Sequence, residues 1–250
     1  MPYGLYIAAE GASAQSRRLE VIANNLANVD TTGFKRDVTL LQARNAEAIV
    51  QGEDFPGSGS INDIGGGVLV EATATDFSPG GYQQTNRASD FAIRGEGYFV
   101  VQRDGQPMLT RAGNFNFMAD GTLVTDQGLP VLDTEGVKVA IDPNQPWWLS
   151  EQGEILQDGA RIPLALVRPQ QPGDLMKAGG NLFQPLAPTV PLPPEYRHVE
   201  SGTLETSGVN PVAEMMDMIS TSRAFESNVQ LIRNHDHMLG NLISRVLTVR

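Results

Sequence analysis

The N-terminal segment shows an apolar pattern typical of a coiled-coil helix. Apolar or small residues recur at alternating steps of three and four, with mostly polar residues between them. The run stops before Gly33, the kind of residue that commonly follows the last turn of a helix. The pattern therefore predicts one helix of about 40 Å at 1.5 Å per residue. Its repeating positions are Leu5, Ala8, Ala12, Gln15, Leu19, Ile22, Leu26 and Val29.

The C-terminal segment repeats this pattern over a longer run. Pro211 stands near its start, where the missing N–H of proline costs nothing. Only Gly240 interrupts the run, so we expect a rod of about 50 Å or more. An isolated amphipathic helix depends on packing its apolar face, so the two terminal helices are predicted to pair. The repeating positions are Met215, Met218, Ser222, Phe225, Val229, Ile232, Asp236, Leu239, Ile243 and Val246.

Between these ends the apolar period shortens to two, which is typical of β-strands. Residues 91–101 are apolar apart from Arg94-Gly95-Glu96-Gly97, where we expect a sharp turn between strands. Turn dipeptides such as Asp120-Gly121 separate the later runs and favour antiparallel hairpins. Further strands are predicted over residues 68–74, 108–117, 122–125, 129–132, 137–141 and 162–167.

These patterns predict an α+β fold, in which terminal α-helices pair as a coiled-coil domain and a central domain is antiparallel and all-β. Residues 1–35 and 209–250 would form the helical domain, and residues 68–184 the β-rich domain. Residues 36–67 are predicted to be a flexible linker, because residues 52–67 are rich in glycine and serine. Residues 185–208 begin with a run of prolines and are predicted to be a stiff return linker.

Composition and charge exclude several classes of protein. The chain has 29 acidic and 18 basic residues and a net charge of −11, so a nonspecific grip on nucleic acid is not expected. The absence of cysteine excludes disulfides, thiolate metal sites and cysteine nucleophiles. No stretch is apolar enough to cross a membrane, and the first ten residues lack the regions of a cleavable secretory signal. We therefore expect a protein that is not membrane-integral and carries no such signal.

Candidate residues for chemistry are few. His235 and His237 are two apart on a predicted helix and point to different faces, so we predict no metal site and no cofactor. Trp147-Trp148 could stack on a sugar, cover a core edge or form a subunit contact, and these alternatives stay open. Aspartates in turns could hide a glycan-cleaving pair, but hairpins use the same residues for local hydrogen bonds, so we predict no catalytic residues. These aspartates are Asp104, Asp120, Asp126, Asp133 and Asp142.

Three asparagines close together late in the first helix lower its propensity, and we expect them to form cross-helix hydrogen bonds that fix register. Residues 23–35, which read ANNLANVDTTGFK, resemble the signature of the bacterial flagellar rod and hook family. The resemblance continues through residues 91–101, 109–115, 120–125, 202–205 and 215–228. The signature positions are Ala23, Asn24, Asn25, Leu26, Ala27, Asn28, Thr31, Gly33, Phe34 and Lys35.

The resemblance implies a structural subunit of the flagellar basal-body rod, the drive shaft that transmits torque across the periplasm. Its terminal helices would join those of its own copies and of neighbouring proximal and distal rod proteins in a coiled-coil tube. The resemblance also implies passage through the flagellar type III export apparatus without loss of a signal peptide. Residues 3–6 and 210–215 look most like proximal members of the family, with distal members as the alternative.

Two other classes remain as alternatives. A periplasmic glycan-acting enzyme with a coiled-coil stem would place its chemistry among the turn carboxylates. A trimeric stalk like those of adhesins would form a closed oligomer of fixed size. The helices are predicted to assemble along an apolar seam. The seam residues are Leu5, Leu19, Ile22, Leu26, Val29, Met215, Met218, Phe225, Val229, Ile232, Leu239 and Ile243.

Overall fold

The computed structural model describes residues 3–142 and 144–247. The ends of the two predicted helical segments, Met1, Pro2 and residues 248–250, lie outside the described residues, as does the side chain of Val246. The chain divides into two compact units. The first consists of residues 1–27, 37–76 and 210–250, and the second of residues 28–36 and 77–209.

The first unit is built from two long helices and a β-hairpin. Helix α1 packs against α3 and against the hairpin of β1 and β2. Glycines let the helices approach closely, since a Cβ added at Gly11 would lie 3.0 Å from the Asn228 amide nitrogen. Its elements are α1 (Tyr3–Ala27), β1 (Asp37–Arg44), α2 (Glu47–Val50), a 3₁₀ turn (Ile61–Ile64), β2 (Gly67–Thr75) and α3 (Pro211–Leu247).

The start of the C-terminal helix agrees with the sequence prediction, whereas the end of the N-terminal helix differs from it. The expected start of the second long helix at Pro211 is confirmed. Helix α1 ends at Ala27, so the prediction that Val29 continues its seam is wrong. A turn replaces the last helical residues, because the Asn28 carbonyl accepts from the Thr31 N–H and the Asn28 side chain accepts from the Thr31 hydroxyl.

The expected flexible linker contains an ordered strand, so that prediction is wrong for residues 37–44. Strand β1 pairs antiparallel with β2 from Asp37 opposite Thr75 to Arg44 opposite Gly67, with a bulge after Leu40. The pairing satisfies the backbone of both strands. The predicted strand over residues 68–74 is confirmed, but β2 belongs to the first unit rather than to the β-rich one.

The second unit is an antiparallel β-structure, as predicted. Its strands are β3 (Tyr82–Gln84), β4 (Phe91–Ile93), β5 (Tyr98–Arg103), β6 (Gln106–Thr110), β7 (Asn116–Phe117), β8 (Leu123–Val124), β9 (Trp147–Leu149), β10 (Glu154–Gln157), β11 (Ala160–Pro163), β12 (Leu166–Arg168), β13 (Leu175–Gly179), β14 (Leu182–Pro185), β15 (Val190–Pro191), β16 (Val199–Ser201) and β17 (Thr203–Glu205). One sheet has the strand order β13-β14-β6-β5-β12-β15 and another has the order β11-β10-β9. In addition, β16 pairs with β4, β17 with β3 and β7 with β8. Two 3₁₀ turns (Pro172–Asp174 and Pro194–Tyr196) complete it.

An apolar core fills the second unit. The Phe99 ring lies 5.1 Å from the Phe115 ring, edge to face, a favourable geometry for aromatic pairs. The turn expected at Gly95 and Gly97 is confirmed, since both have positive φ between β4 and β5. Buried members of this core include Phe91, Ile93, Phe99, Val101, Phe115, Leu123, Val131, Val139, Ile155, Leu164, Leu166, Leu192 and Val199.

Two predictions for the second unit are wrong. Residues 185–208 are not a linker, because they contain β15, β16 and β17 and bury Leu192. Pro191 fits on β15 because β15 is an edge strand. An edge strand has a neighbour on one side only, so the backbone N–H that proline lacks is not required for pairing. Residues 129–132 and 137–141 form isolated bridges instead of strands, since closely spaced turns leave no room for longer ladders.

Candidate functional site

Asn25 joins α1 to the strand that follows it. Its side-chain amide donates to the Asp37 carbonyl at 2.8 Å and accepts from the Asp37 N–H at 2.9 Å. The same amide lies 3.5 Å from a carboxylate oxygen of Glu214 on α3. Asn25 is 2% exposed, so these groups have little access to water. One side chain thus connects the end of α1, the start of β1 and the first turn of α3.

Helix α3 begins with a side-chain cap. The side-chain carbonyl oxygen of Asn210 accepts hydrogen bonds from the backbone N–H groups of Val212 and Ala213, each at 3.2 Å. This cap satisfies two donors that have no partner inside the helix. Glu214 follows in the first turn, where a carboxylate is favoured by the helix dipole, and it is buried.

Gly33 occupies a place that only glycine fits. Its φ is +65°, and an added Cβ would lie 2.6 Å from the backbone carbonyl of Arg111. Its N–H donates to the Glu205 carbonyl at 2.8 Å. The sequence pattern places Gly33 as a helix terminator, but it lies beyond the end of α1 and serves close packing in the second unit instead.

Lys35 is the centre of a buried group of charges. Its Nζ lies 2.7 Å from Glu205 Oε1 and donates to the Ser78 carbonyl at 2.8 Å. Arg111 Nε lies 2.9 Å from the other carboxylate oxygen of Glu205. We call Lys35, Glu205 and Arg111 the buried triad. In a low-dielectric interior such charges need each other, because an unpaired one is strongly destabilising.

Further contacts in the second unit hold the loop of residues 28–36, which follows α1. Asn181 donates to the Thr32 carbonyl at 2.6 Å, and Lys177 donates to the Lys35 carbonyl at 2.6 Å. The Lys177 ammonium also lies 4.4 Å from the centre of the Phe34 ring, a cation–π geometry. The loop after α1 is therefore fixed by side chains distant in sequence.

The signature positions fall into a buried, a half-buried and an exposed set. Asn25 has the cross-helix contact expected of the asparagines, with Glu214 on α3, and the Asn28 side chain accepts from the Thr31 hydroxyl. Asn25, Gly33, Phe34 and Lys35 are buried, Leu26, Asn28 and Thr31 are half-buried, and Ala23, Asn24 and Ala27 are exposed. Sequence reasoning did not assign roles to Asp37, Arg111, Glu205 or Glu214.

The seam residues lie mostly at the edge of the first unit rather than inside it. Ile22 is buried, while Leu5, Leu19, Leu26, Met218, Phe225, Val229, Ile232 and Leu239 are half-buried. Met215 and Ile243 are exposed, and Val29 is half-buried in the second unit. One α1 and one α3 therefore leave the seam only partly covered.

Additional apolar side chains are open to solvent on the first unit. On α3 they are Val212, Met216, Ile219, Leu231, Met238 and Leu242, and we call this set the exposed α3 face. On β1 and β2 they are Val38, Leu40, Leu41, Val68 and Leu69. Exposed apolar patches of this kind mark interaction surfaces in soluble proteins.

Three of the turn aspartates use their carboxylates for local hydrogen bonds. Asp120 accepts from the Thr122 N–H at 3.0 Å, which lowers the pKa of its carboxyl. Asp133 accepts from the Val137 N–H at 2.8 Å, and Asp142 accepts from an N–H in its own turn. These are the hydrogen bonds that hairpin turns favour.

The two tryptophans have different surroundings. The Trp147 ring packs 5.2 Å from the Phe117 ring and 6.3 Å from the Phe91 ring, so it covers the core. Trp148 is exposed on the edge strand β9. Of the three alternatives considered for this pair, covering a core edge accounts for Trp147.

A cleft of about 680 Å³ in the second unit is lined by Phe77, Tyr98 and Arg168, among others. Burial raises the pKa of Tyr98 to about 12, and the nearby Arg111 guanidinium opposes this shift. The phenol therefore stays protonated at neutral pH and cannot act as a base there.

The part of the chain that the structure describes contains neither a metal-ion cluster nor a membrane-spanning helix. Within residues 3–142 and 144–247, His, Asp and Glu side chains form no cluster suited to a metal ion. Among the helices of those same ranges, none combines the length and apolar character that crossing a bilayer requires.

Helices α1 and α3 pack against each other and leave several apolar side chains of α3 exposed. Three family models match successive parts of the chain. They are "Flagella basal body rod protein" over residues 5–35, "Flagellar hook protein FlgE/F/G D1 domain" over residues 92–163, and "Flagellar basal body rod FlgEFG protein C-terminal" over residues 200–245. The members of the buried triad are distributed over these three segments.

Curated relatives match over nearly the whole chain. The flagellar basal-body rod protein FlgF of Caulobacter vibrioides is 32% identical over 98% of this chain and 98% of its own length. The rod protein FlgG of Agrobacterium fabrum is 32% identical over 97% of this chain and 98% of its own. FlgF of Rhizobium meliloti is 31% identical over 97% of each. The chain therefore belongs to the flagellar basal-body rod protein family.

Proposed function

We propose that this chain is a structural, non-enzymatic subunit of the flagellar basal-body rod that polymerises through α1 and α3. The observation that carries the proposal is the surplus of apolar surface on α3, which has 37 residues against 25 in α1. Its exposed face finds no cover within the first unit. Adjacent subunits would cover this face. A contact of this kind that does not close into a ring repeats from subunit to subunit and so builds a helical polymer.

The seam would form the core of a coiled-coil packing between copies of this chain and neighbouring rod proteins. Most of its residues on α1 and α3 are half-buried, the two helices pack against each other, and we expect the half-buried side chains to become fully buried in the polymer. Full burial of one such side chain stabilises by about 1.5–3 kcal/mol. Several of them together would offset the entropy lost on association.

The hairpin of β1 and β2 would add a second contact surface. Leu40 and Leu69 are exposed on it, although a strand pair with one apolar face normally covers that face. A neighbouring subunit lying on the hairpin would bury these side chains. The packed helices and hairpins of many subunits would then give the stiffness that torque transmission requires.

Alignment lengths favour the FlgF type, expected in the proximal rod, over the FlgG type, expected in the distal rod. The FlgF alignment covers 98% of this chain in 248 positions, so it needs almost no gaps. The FlgG alignment has 266 positions, although it covers 97% of a chain of only 250 residues. The FlgG relative therefore contains segments that this chain lacks. Similar identities leave length as the distinguishing feature.

The proposed location is the rod where it crosses the periplasm. The proposed route is the flagellar type III export apparatus, without a cleaved signal peptide. Membership of the rod protein family supports both proposals. The signature over residues 23–35 lies inside the matched N-terminal segment, which agrees with the resemblance from which the route was inferred.

A clean deletion of the gene tests the function. We expect non-motile cells whose purified basal bodies, seen by electron microscopy, have missing or truncated rods. A rod that stops near its base indicates a proximal subunit, and a rod that stops further out indicates a distal one. Intact, rotating flagella would contradict the proposal and direct attention to the glycan-acting alternative.

A further inference from the structure

Two glycines of α1 lie against two polar side chains of α3. A Cβ added at Gly4 would lie 3.0 Å from Nε2 of His235. A Cβ added at Gly11 would lie 3.0 Å from Nδ2 of Asn228. The glycines are seven residues apart and so are their partners, and the numbering rises on α1 while it falls on α3. The two helices are therefore antiparallel, and one register accounts for both contacts.

A third contact has the same register. Asn25 lies 14 residues after Gly11, and Glu214 lies 14 residues before Asn228. The Asn25 amide nitrogen is 3.5 Å from a carboxylate oxygen of Glu214. Thr221 occupies the step of seven between Glu214 and Asn228 and is 2% exposed. Polar residues therefore recur every seven positions along one face of α3.

The apolar seam alone does not fix this register. Its steps of three and four add up to a repeat of seven, so sliding α3 along α1 by seven residues again places apolar residues opposite each other. Such a slip would displace α3 by about 10 Å. A unique register needs positions that differ from one repeat to the next, as single polar residues do in coiled coils.

The Asn228 side chain fits only against a glycine. Its amide atoms Nδ2, Cγ and Oδ1 would all lie 3.0–3.3 Å from a Cβ at Gly11. Rotation of the amide would not relieve this contact, so the side chain would have to leave its place. A slip of seven residues in one direction brings Arg18 opposite Asn228 in place of Gly11, and a long side chain finds no room there.

The contact at the other end of the helix pair opposes a slip in the other direction. That slip keeps a glycine, Gly4, opposite Asn228. It also carries Asn25 beyond Pro211, where α3 begins, and so ends the contact of Asn25 with Glu214. The two directions are thus opposed by different members of the same set of contacts.

We propose that Gly11 and Asn228 are the specificity-determining pair that sets the register of α1 against α3. The register is a property of one chain, so the proposal does not depend on polymerisation. In a polymer, it would fix the position of the exposed α3 face along α1 to within one step of seven residues.

Alanine substitutions test the fit, because replacing a helical glycine by alanine normally stabilises a helix. Gly240→Ala is the matched control on α3, since no described atom lies within 4 Å of a Cβ added there. It should raise the midpoint of thermal unfolding, followed by helical circular dichroism, by about 1–4 °C. Gly11→Ala should lower the midpoint, and in an Asn228→Ala background it should raise the midpoint as the control does. A rise with Gly11→Ala alone, or the same fall in both backgrounds, would overturn the proposal.

Cross-linking reports the register directly, because the chain has no cysteine of its own. Arg18 Nη2 lies 4.0 Å from Asp217 Oδ1, so Arg18→Cys with Asp217→Cys marks the observed register. Arg18→Cys with Ala224→Cys marks a slip of seven residues. In the purified full-length chain, a short bis-maleimide should link the first pair within one chain and leave the second unlinked. Gly11→Leu should weaken the first link by about fivefold or more, and Asn228→Ala should restore it.

Gly240→Leu should leave the first link unchanged, since its surroundings are open. Loss of the link with Gly11→Leu that Asn228→Ala does not restore would overturn the proposal, whether or not Gly11→Leu folds. Equal linking of both cysteine pairs without Gly11→Leu, or no link in the first pair, would overturn it as well, because the helices would then lack the observed register.

Motility separates this inference from the proposed function. In a deletion strain, Gly11→Leu should fail to restore motility, and Gly11→Leu/Asn228→Ala should restore it at least in part. The predicted links together with motile Gly11→Leu cells would retain the register and contradict assembly of a rod through α1 and α3. Links that do not follow the prediction would overturn the register whatever the motility.

Discussion

The side-chain amide of Asn25 and the backbone of Asp37 form a closed pair of hydrogen bonds, at 2.8 and 2.9 Å. The amide imitates a residue of a β-ladder, since it offers one donor and one acceptor to the same partner. It does so at the end of α1, where the chain must turn into β1. The arrangement explains why a helix carries an asparagine at a buried position.

Asn25→Asp should destabilise the first unit by about 2–4 kcal/mol. The carboxylate cannot donate to the Asp37 carbonyl, and it would face Glu214 at close range without solvent. Denaturation followed by helical circular dichroism measures the loss. Asn241→Asp is the control, the same change at an exposed position on α3, and should cost little. Equal losses in the two variants would contradict the role given to Asn25.

Gly33→Ala should destabilise the second unit by about 3 kcal/mol or more, since a left-handed conformation costs about 1–2 kcal/mol and a crowded site adds to it. The added Cβ would meet the Arg111 backbone at 2.6 Å. Gly128→Ala is the control, because its φ is +78° with nothing within 4 Å. Unfolding followed by tryptophan fluorescence reports the second unit, which contains both tryptophans. A loss no larger than that of the control would contradict the crowding.

The pKa of Tyr98, raised by burial to about 12 from its usual 10, predicts an alkaline loss of stability. A group with a raised pKa in the folded state stabilises fully below its unfolded pKa, and the benefit disappears as pH rises from about 10 to 12. The unfolding free energy should fall by about 2 kcal/mol over that window. Tyr98→Phe should remove this part of the pH dependence, and Tyr196→Phe, at an exposed position, should retain it. An unchanged profile in Tyr98→Phe would contradict the assignment.

Leu26→Asp and Ile232→Asp should each abolish rod assembly while the second unit stays folded. Both residues are half-buried on the helices of the first unit, where a carboxylate would cost about 2–3 kcal/mol without a partner. Native tryptophan fluorescence of the purified variants checks the second unit. Electron microscopy of basal bodies checks assembly. Motile cells carrying either substitution would contradict the role of the seam.

The terminal helices could be predicted because their apolar residues follow one period over many turns, a signal that depends only on nearby positions. The strand β1 could not be recognised in the same way. Its partner β2 follows a segment rich in glycine and serine, and most of the large apolar side chains of both strands are exposed, so no burial pattern marks the pair.

The partners of the signature residues could not be predicted from the sequence, because they lie far away along the chain. Lys35 and Glu205 are 170 positions apart, and Asn25 and Glu214 are 189 apart. No periodicity links residues at such distances, so the signature indicated that these positions matter without indicating their partners. Asn25 and Gly33 show the limit clearly, since both were singled out and both have roles set by distant backbone.

The exposed α3 face gives the most direct test of polymerisation through the helices. Met216 is 68% exposed, so Met216→Glu should change the unfolding free energy of the purified chain by less than about 0.5 kcal/mol. The same substitution should place a charge in the contact between subunits. Met118→Glu is the matched control, with an exposed methionine on the second unit.

The decisive measurement is electron microscopy of basal bodies from a deletion strain complemented with each variant. We predict that Met216→Glu leaves rods missing or truncated although the protein is stable, and that Met118→Glu restores complete rods. Complete rods and motile cells with Met216→Glu would contradict assembly through the exposed α3 face.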